Sequence, residues 1–265
     1  FSSFMSKNSL NYPKSELGLK DEINRLNSKW LEFLKVRLGD KCPGNIDELF
    51  VSDGFYPYYT SQKKKILFIG REALEIGGCN YMEFLYEAYQ EKRIGSKTLN
   101  QHKFHSTMLY LTYAIEHAVY KWEEIPYADE FISEFAQPGG ISNAFMNLSK
   151  FSNGSGSWAS DYNLIDLFIS ASIQSPVDFF AAEIDLLSPD IILGMNFSER
   201  MKCLGSFESP KMYGNDDVCF QTLITSSGNT YPYLDCWHFS ALNKNPKTNI
   251  FNPVIEALKD NGIIM

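Results

Sequence analysis

Two short runs of uninterrupted apolar residues constrain the fold of this 265-residue chain more than any other feature. The first, Ile66-Leu67-Phe68-Ile69, ends at Gly70, and the second, Ile191-Ile192-Leu193, lies between Pro189-Asp190 and Gly194. A strand that is apolar on both faces belongs inside a sheet that is covered by helices on both sides, which is typical of parallel sheets. The two runs therefore predict a mostly parallel central sheet.

Segments with a helical spacing of apolar residues alternate with these runs. The spacing predicts helices over residues 19–38, 81–92, 104–122, 128–135, 162–172, 177–187, 198–204 and 251–259. Two further strands, 218–225 and 231–237, flank a Ser-Gly-Asn turn and are expected to pair as an antiparallel hairpin at one side of the sheet. The period of segment 144–148 fits either a strand or the end of a helix. The alternation as a whole predicts an α/β fold with an open, doubly wound sheet.

The length of the chain sets the expected domain organisation. A chain of 265 residues is long for one domain but short for two. We expect a single α/β domain over residues 1–265, in which a helix and a loop from residues 1–60 pack on a core formed by residues 61–265.

The charge balance bears on the partners of the chain. Its formal net charge is −8, which argues against a protein that coats duplex DNA, because sequence-independent phosphate binding requires a surplus of Lys and Arg. A local basic groove is compatible with this balance. The apolar runs are far shorter than the ~20 residues that span a bilayer, so neither a transmembrane segment nor a membrane partner is expected.

Cysteine usage and the N-terminal residues indicate the compartment. The five cysteines are scattered and never form a C-x-x-C pair. This usage indicates reduced thiols in a cytoplasmic protein rather than a disulfide framework, a zinc site or an iron–sulfur cluster. Residues 1–10 are polar and lack the basic, apolar and small-residue succession of a signal peptide.

Motifs for metals and cofactors are missing from the sequence. Gly77-Gly78 follow the first strand, but no G-x-G-x-x-G or G-x-x-x-x-G-K-[ST] motif is present. His102, His105 and His117 lie on or just before one predicted helix without an acidic residue at metalloprotease spacing. We expect these histidines to be structural, and we predict neither a metal nor a cofactor.

Polar side chains occur at the ends of three predicted strands. Glu72 follows Gly70, Asn147 lies near the end of segment 144–148, and His238 follows the last strand. In open α/β sheets, ligands bind beyond the carboxyl ends of the strands. A carboxylate can act as a base, an amide can both donate and accept hydrogen bonds, and an imidazole can donate to a developing anion.

Each of these residues also has a purely structural explanation. Glu72 can form a surface charge pair with Arg71. Asn147 can cap a turn, and His238 can be a hydrogen-bonded histidine between aromatic neighbours. Only their occurrence together at successive strand ends favours a functional role.

The order of these pieces resembles that of the uracil-DNA glycosylase superfamily. In that family an apolar strand runs into a Gly-x-acid loop, a later strand ends in Asn, a Pro-Asp-Ile-Ile-Leu-Gly segment follows, and a final strand ends in a His-x-Ser motif. The matching pieces are ILFIGRE at 66–72, FMN at 145–147, LSPDIILG at 187–194 and HFS at 238–240. The resemblance covers residues 63–258, and Ala73 and Phe239 stand where the family usually has Pro.

The resemblance implies a three-layer α/β/α sandwich and a role for each residue. Glu72 takes the place of the acid that activates water or steadies the cationic sugar, and His238 that of the group that stabilises the departing base as an anion. Asn147 takes the place of the residue that reads the edge of a pyrimidine. The substrate-binding residues that we predict are Gly70, Arg71, Tyr81, Asn147 and Ser240. From its position, we expect the Tyr81 ring to stack on an extruded base.

The resemblance leaves two functions to expect. The first is a divergent glycosylase, a hydrolase that cleaves the N-glycosidic bond of a modified base in DNA or in a nucleotide and so acts in DNA repair. The second is a catalytically inactive module that keeps the fold and binds a nucleotide, a nucleic acid or a protein. DNA or a nucleotide is therefore the expected partner.

Overall fold

A computed structural model describes residues 9–265 of the protein. The expectation that the N-terminus contains no signal peptide concerns residues 1–10, and residues 1–8 lie outside the described range. The strands are β1 (Gly54–Phe55), β2 (Ile66–Gly70), β3 (Arg93–Ile94), β4 (Lys97–Thr98), β5 (Ala144–Asn147), β6 (Ile191–Met195), β7 (Ser206–Tyr213), β8 (Val218–Ile224) and β9 (Thr230–Cys236). The α-helices are α1 (Leu17–Leu38), α2 (Ile46–Leu49), α3 (Tyr81–Gln90), α4 (Lys103–His117), α5 (Ala128–Phe131), α6 (Tyr162–Ser172), α7 (Phe179–Leu187) and α8 (Asn252–Asp260).

The central sheet has seven strands in the order β1-β5-β2-β6-β9-β8-β7. Its four middle strands, β5, β2, β6 and β9, run parallel. The outer strands β1, β8 and β7 run antiparallel to their neighbours. The predicted parallel strands form the middle of the sheet, but the sheet as a whole is mixed, with three parallel and three antiparallel pairings. Strands β7, β8 and β9 are antiparallel because short turns join them.

Helices cover both faces of this sheet. On one face α1 packs against α6 and α7, where the ring of Trp30 lies 5.3 Å from that of Phe168 and 4.9 Å from that of Phe180. On the other face Tyr81 of α3 stacks on Phe145 of β5. The chain is thus an α/β sandwich. Within residues 9–265, no helix combines the length and the apolarity that crossing a membrane requires.

Several predicted elements differ in detail. Segment 144–148, which the sequence left open, is a strand, and the predicted hairpin forms between β8 and β9. Helix α4 ends at His117, before residue 122, because Ala118 adopts a left-handed conformation. Strand β7 was not predicted, because its side chains are mostly exposed and it is interrupted by Pro210 and an irregular register.

The register of the parallel strands brings their carboxyl ends to one edge of the sheet. Gly70 of β2 is paired with Asn147 of β5, and Met195 of β6 with Cys236 of β9. The loops after these strands therefore leave the sheet side by side, and they carry the polar residues singled out in the sequence.

Candidate functional site

A cavity of about 370 Å³ opens at this edge of the sheet. Its volume falls in the range typical of small-molecule sites, roughly 300–1,000 Å³. All seven residues that the sequence predicted for catalysis or substrate binding line it: Gly70, Arg71, Glu72, Tyr81, Asn147, His238 and Ser240. The structure thus brings together groups that are far apart in the chain.

The loop that carries Glu72 is fixed by hydrogen bonds to the loop after β5. The backbone N–H of Leu148 donates to the carbonyl of Gly70 at 2.9 Å, and that of Ser149 donates to the carbonyl of Arg71 at 2.8 Å. Further along, Asn153 N–H donates to the Ala73 carbonyl at 2.8 Å. These bonds continue the pairing of β2 with β5 beyond the strands and hold the backbone of Glu72 in place.

The Glu72 carboxylate is half-buried and only partly satisfied. Its Oε1 accepts a hydrogen bond from the backbone N–H of Asp161 at 3.0 Å. Its Oε2 is buried and has no hydrogen-bond partner among residues 9–265. Burial raises the pKa of Glu72, and the N–H of Asp161, the amide of Asn153 and the charge of Arg71 offset part of that rise. A buried oxygen of this kind can accept a hydrogen bond from a bound ligand or water molecule.

Asn147 presents an amide with spare donors to the same cavity. The residue is only 2% exposed, and its backbone N–H donates to Oδ2 of Asp53 at 2.7 Å. Its side-chain Nδ2 is buried and has no partner within the described chain. Leaving such a donor unsatisfied costs about 1–3 kcal/mol, so an acceptor on a ligand is expected here.

His238 is held as a neutral imidazole with a defined tautomer. The backbone N–H of Ser240 donates to His238 Nδ1 at 3.3 Å, and the Ser240 hydroxyl lies 2.7 Å from the same nitrogen. Because Nδ1 accepts a hydrogen bond, the ring proton of the neutral form is on Nε2. Burial, with a contribution from the charge of Arg71, lowers the pKa of His238 to about 4.

Arg71 bridges two loops at the edge of the cavity. Its guanidinium donates to the Asn196 carbonyl at 3.1 Å and to the Ser160 hydroxyl at 3.4 Å, and it lies over the ring of Tyr162. Its hydrogen bonds thus go to these two residues and not to the neighbouring Glu72, as a surface charge pair would require. Arg71 supplies positive charge beside the cavity.

The aromatic wall differs from the one the sequence suggested. The Tyr81 ring stacks on Phe145, with centroids 4.4 Å apart and an angle of 12° between the planes. One face of Tyr81 is therefore occupied by the protein itself. Phe145, whose sequence position gave no separate signal, lines the cavity beside it.

Position 70 of β2 has room only for glycine, because the Phe145 ring lies against it. A Cβ added at Gly70 would lie 2.6 Å from Cζ of Phe145, and the Phe145 ring is buried and stacked, so it cannot retreat. We expect Gly70→Ala to lower the free energy of unfolding by about 1–3 kcal/mol, the usual cost of overpacking. Urea unfolding measures this change.

Gly154→Ala is the matched control, because a Cβ there meets no atom within 4 Å. Equal unfolding midpoints for Gly70→Ala and Gly154→Ala would contradict the packing described for Phe145.

Much of the rest of the cavity lining was not predicted. It comes from the loop after β2, from α3, from the β3–β4 hairpin, from the start of α4 and from the Ser/Gly-rich loop after β5. The large apolar residues that it contributes are Leu74, Ile76, Phe84, Leu85, Ile94, Phe104 and Trp158. The Ser/Gly-rich composition of residues 152–157 is typical of a loop beside a site, but no sequence pattern marks the other residues.

The histidines expected to be structural divide into two kinds. His105 is buried and its Nδ1 lies 2.8 Å from the Tyr89 hydroxyl, as a structural histidine would be. His117 pairs with Glu134 on the surface. His102 and His105 both line the cavity, but Nδ1 of His102 is buried without a partner among the described residues. Over residues 9–265, no group of three or more His, Cys, Asp or Glu side chains is placed to hold a metal ion.

The two large rings next to His238 do not fill the cavity. Phe239 is fully buried, with its ring 6.0 Å from that of Phe68. The indole N–H of Trp237 donates to Asp217 at 2.8 Å. Neither ring is among the residues that line the cavity, so the space in front of His238 is accessible to a ligand.

Comparison with known proteins adds no family to this picture: neither the protein-family models nor the curated proteins include a match to this sequence.

Proposed function

We propose that the protein is a hydrolase that cleaves the N-glycosidic bond of a base, in DNA or in a nucleotide, after the base enters the cavity. One observation carries this proposal. The Glu72 carboxylate, the Asn147 amide and the His238 imidazole, which come from three strand ends, line one cavity, and the first two keep buried atoms that no described residue satisfies. The resemblance of their order to that of the uracil-DNA glycosylase superfamily supports the same function.

The chemistry of the bond explains why these groups suit it. As the bond between C1′ and the base nitrogen breaks, positive charge builds on the sugar and negative charge on the base. In the proposed reaction a water molecule adds to C1′ and its proton passes to the Glu72 carboxylate. The base leaves with the electron pair of the bond, and the Nε2–H of His238 donates a hydrogen bond to the resulting anion.

The remaining residues bind the base. The Asn147 amide donates from Nδ2 to an acceptor on the edge of the base, and Phe145 with Tyr81 forms an apolar wall for its ring. Arg71 supplies positive charge near the sugar–phosphate backbone. Because the chain has a formal net charge of −8, a single strand or a nucleotide fits this site better than a long duplex does, since fewer phosphates need to be neutralised.

Base release from oligonucleotides tests the proposal. The wild-type protein is incubated with single-stranded and duplex oligonucleotides carrying uracil or an altered base, and the free base is measured under single-turnover conditions. We expect His238→Gln to lower the rate by about 10²–10³-fold, as the loss of one donor to a developing anion does. His117→Gln, on the surface at the end of α4, is the control. A rate for His238→Gln equal to that of the wild type would remove His238 from the mechanism.

The pH dependence of base release follows from the shifted pKa values of Glu72 and His238. The rate should rise with pH as Glu72 ionises, and because the pKa of Glu72 is raised, the rise should lie above the ordinary Glu value of about 4.3. No fall is expected near the ordinary His value of about 6.5, because His238, with its pKa lowered to about 4, is already neutral there. A rate that declines as pH increases through this region would show instead that a protonated histidine is required.

A further inference from the structure

The outer part of the cavity is formed by one continuous stretch of chain. Residues 81–105 contribute Phe84 and Leu85 from α3, Ile94 from the β3–β4 hairpin, and His102 and Phe104 at the start of α4. The same stretch also lines the cavity with Tyr81, Gly95 and His105, whose Nδ1 is already paired with the Tyr89 hydroxyl. We refer to the first five residues as the outer wall. The sheet edge, with Glu72, Asn147 and His238, forms another part of the lining, and the two parts meet where the Phe104 ring lies 5.3 Å from that of His238. The groups that the proposed reaction needs therefore account for only part of the cavity.

The size of the cavity exceeds what a bare pyrimidine ring fills. At about 370 Å³ it matches sites that bury drug-sized molecules, roughly 300 Å³ or more. Four of the five outer-wall residues are apolar. Apolar surface of this kind stabilises a ligand only when the ligand reaches it, because the gain depends on area removed from water.

His102 is the polar group of the outer wall, and it has hydrogen-bonding capacity to spare. Its Nδ1 is buried without a partner among residues 9–265, whereas Nδ1 of the adjacent His105 lies 2.8 Å from the Tyr89 hydroxyl. Burial lowers the pKa of His102, and Lys97 lowers it further, so the ring is neutral. A neutral imidazole offers one donor and one acceptor to a ligand.

We propose that the outer wall selects a base larger than a bare pyrimidine ring, bicyclic or carrying a ring substituent, whose far edge forms a hydrogen bond with His102. This inference rests on the proposed function, since it names the class of base that the same cavity takes. The sheet edge then holds the glycosidic side of the base, and the outer wall covers the part that uracil lacks.

Excision of bases of different sizes tests this selection. Single-stranded oligonucleotides that differ only in carrying uracil, 5-hydroxymethyluracil or hypoxanthine are compared by kcat/KM. We expect at least about a 10-fold preference for one of the two larger bases over uracil, the effect that one added group has in an apolar pocket. Uracil released as fast as both larger bases, or faster, would overturn the inference and leave the proposed function intact.

Variants of the outer wall link the preference to its residues. His102→Phe keeps a flat ring without nitrogen atoms, and it should reduce the ratio of larger-base to uracil activity, whereas His117→Phe should leave that ratio as in the wild type. Ile94→Trp, on the partly exposed hairpin, should reduce the same ratio by filling the space. A ratio unchanged by both His102→Phe and Ile94→Trp would contradict the assignment of the outer wall.

Binding of free bases separates the two proposals if no base is released. In that case the dissociation constants of hypoxanthine and uracil are compared for the wild type and for His102→Phe. Tighter binding of hypoxanthine that is weakened in His102→Phe would support the outer wall while the hydrolase proposal fails. Equal binding of the two bases would overturn the outer wall as well.

Discussion

Replacing Glu72 by glutamine is expected to lower the rate of base release by about 10²–10⁴-fold, the range that a positioned general base contributes. Glutamine keeps the size of the side chain and can still accept the hydrogen bond that the Asp161 N–H donates to Oε1. It cannot take a proton from water, and it carries no negative charge to stabilise a cationic sugar. Single-turnover release of free base measures the effect.

The control for this substitution is Glu91→Gln, which removes one negative charge from an exposed position just after α3. Its rate should equal that of the wild type. Because Glu72 is half-buried with a raised pKa, the neutral glutamine should also leave the unfolding midpoint unchanged or raise it. Full activity in Glu72→Gln would show that the carboxylate takes no part in the reaction.

The second large effect is expected on stability, from Lys150→Met. Lys150 is fully buried, its ammonium contacts Asp53, and its Nζ lies 2.9 Å from Oε2 of Glu183. Burial alone would lower the pKa of Lys150, but the two carboxyl groups raise it above its usual value. Burial and the charge of Asp53 together raise the pKa of Glu183. The ammonium is therefore what compensates the buried Asp53 carboxylate.

Methionine fits the volume of lysine but leaves that carboxylate without its cation. Removing one partner of a buried ion pair costs about 3–5 kcal/mol, so we expect a loss of this size in the free energy of unfolding, measured in urea at neutral pH. Lys121→Met, which removes an exposed cation paired with Glu124, should have no measurable effect. Equal midpoints for Lys150→Met and the wild type would contradict the ion pairing.

The buried pair of Asp53 and Lys150 also connects the stability of the fold to the geometry of the site. Asp53 accepts the backbone N–H of Asn147 through Oδ2, while its Oδ1 contacts Lys150. A displaced Asp53 would therefore release the backbone that orients the Asn147 amide. In folded Lys150→Met at low temperature, we accordingly expect weaker base binding than in the wild type.

The sequence predicted the sheet edge well because the signal there is local. An apolar run that ends in Gly70 marks a buried strand, and the polar residues that follow a parallel strand must lie at its carboxyl end. Strand β5 was undecided because four residues are too few for a period to distinguish a strand from a helix. The edge strand β7 lacks an apolar pattern, so its pairing with β8 was visible only in three dimensions.

The parts of the site that the sequence did not predict depend on contacts between distant residues. No sequence pattern distinguishes Lys150 from an ordinary loop lysine, because its partners Asp53 and Glu183 come from a segment before β1 and from α7. The outer wall was also missed, since periodicity indicates which face of a helix is buried but not whether that face meets a core or a cavity. His102 was expected to be structural because no acidic residue lies at metalloprotease spacing from it, and its place in the cavity lining depends on the fold.

The central claim is tested most directly by incubating the wild-type protein with single-stranded oligonucleotides that carry uracil, hypoxanthine or 5-hydroxymethyluracil. The amounts of free base and of base-free strand are measured together. If Glu72, Asn147 and His238 act together on one base, the free base and the base-free strand appear in equal amounts. Intact oligonucleotide that stays bound to the protein, with neither product formed, would contradict that claim and identify a binding module.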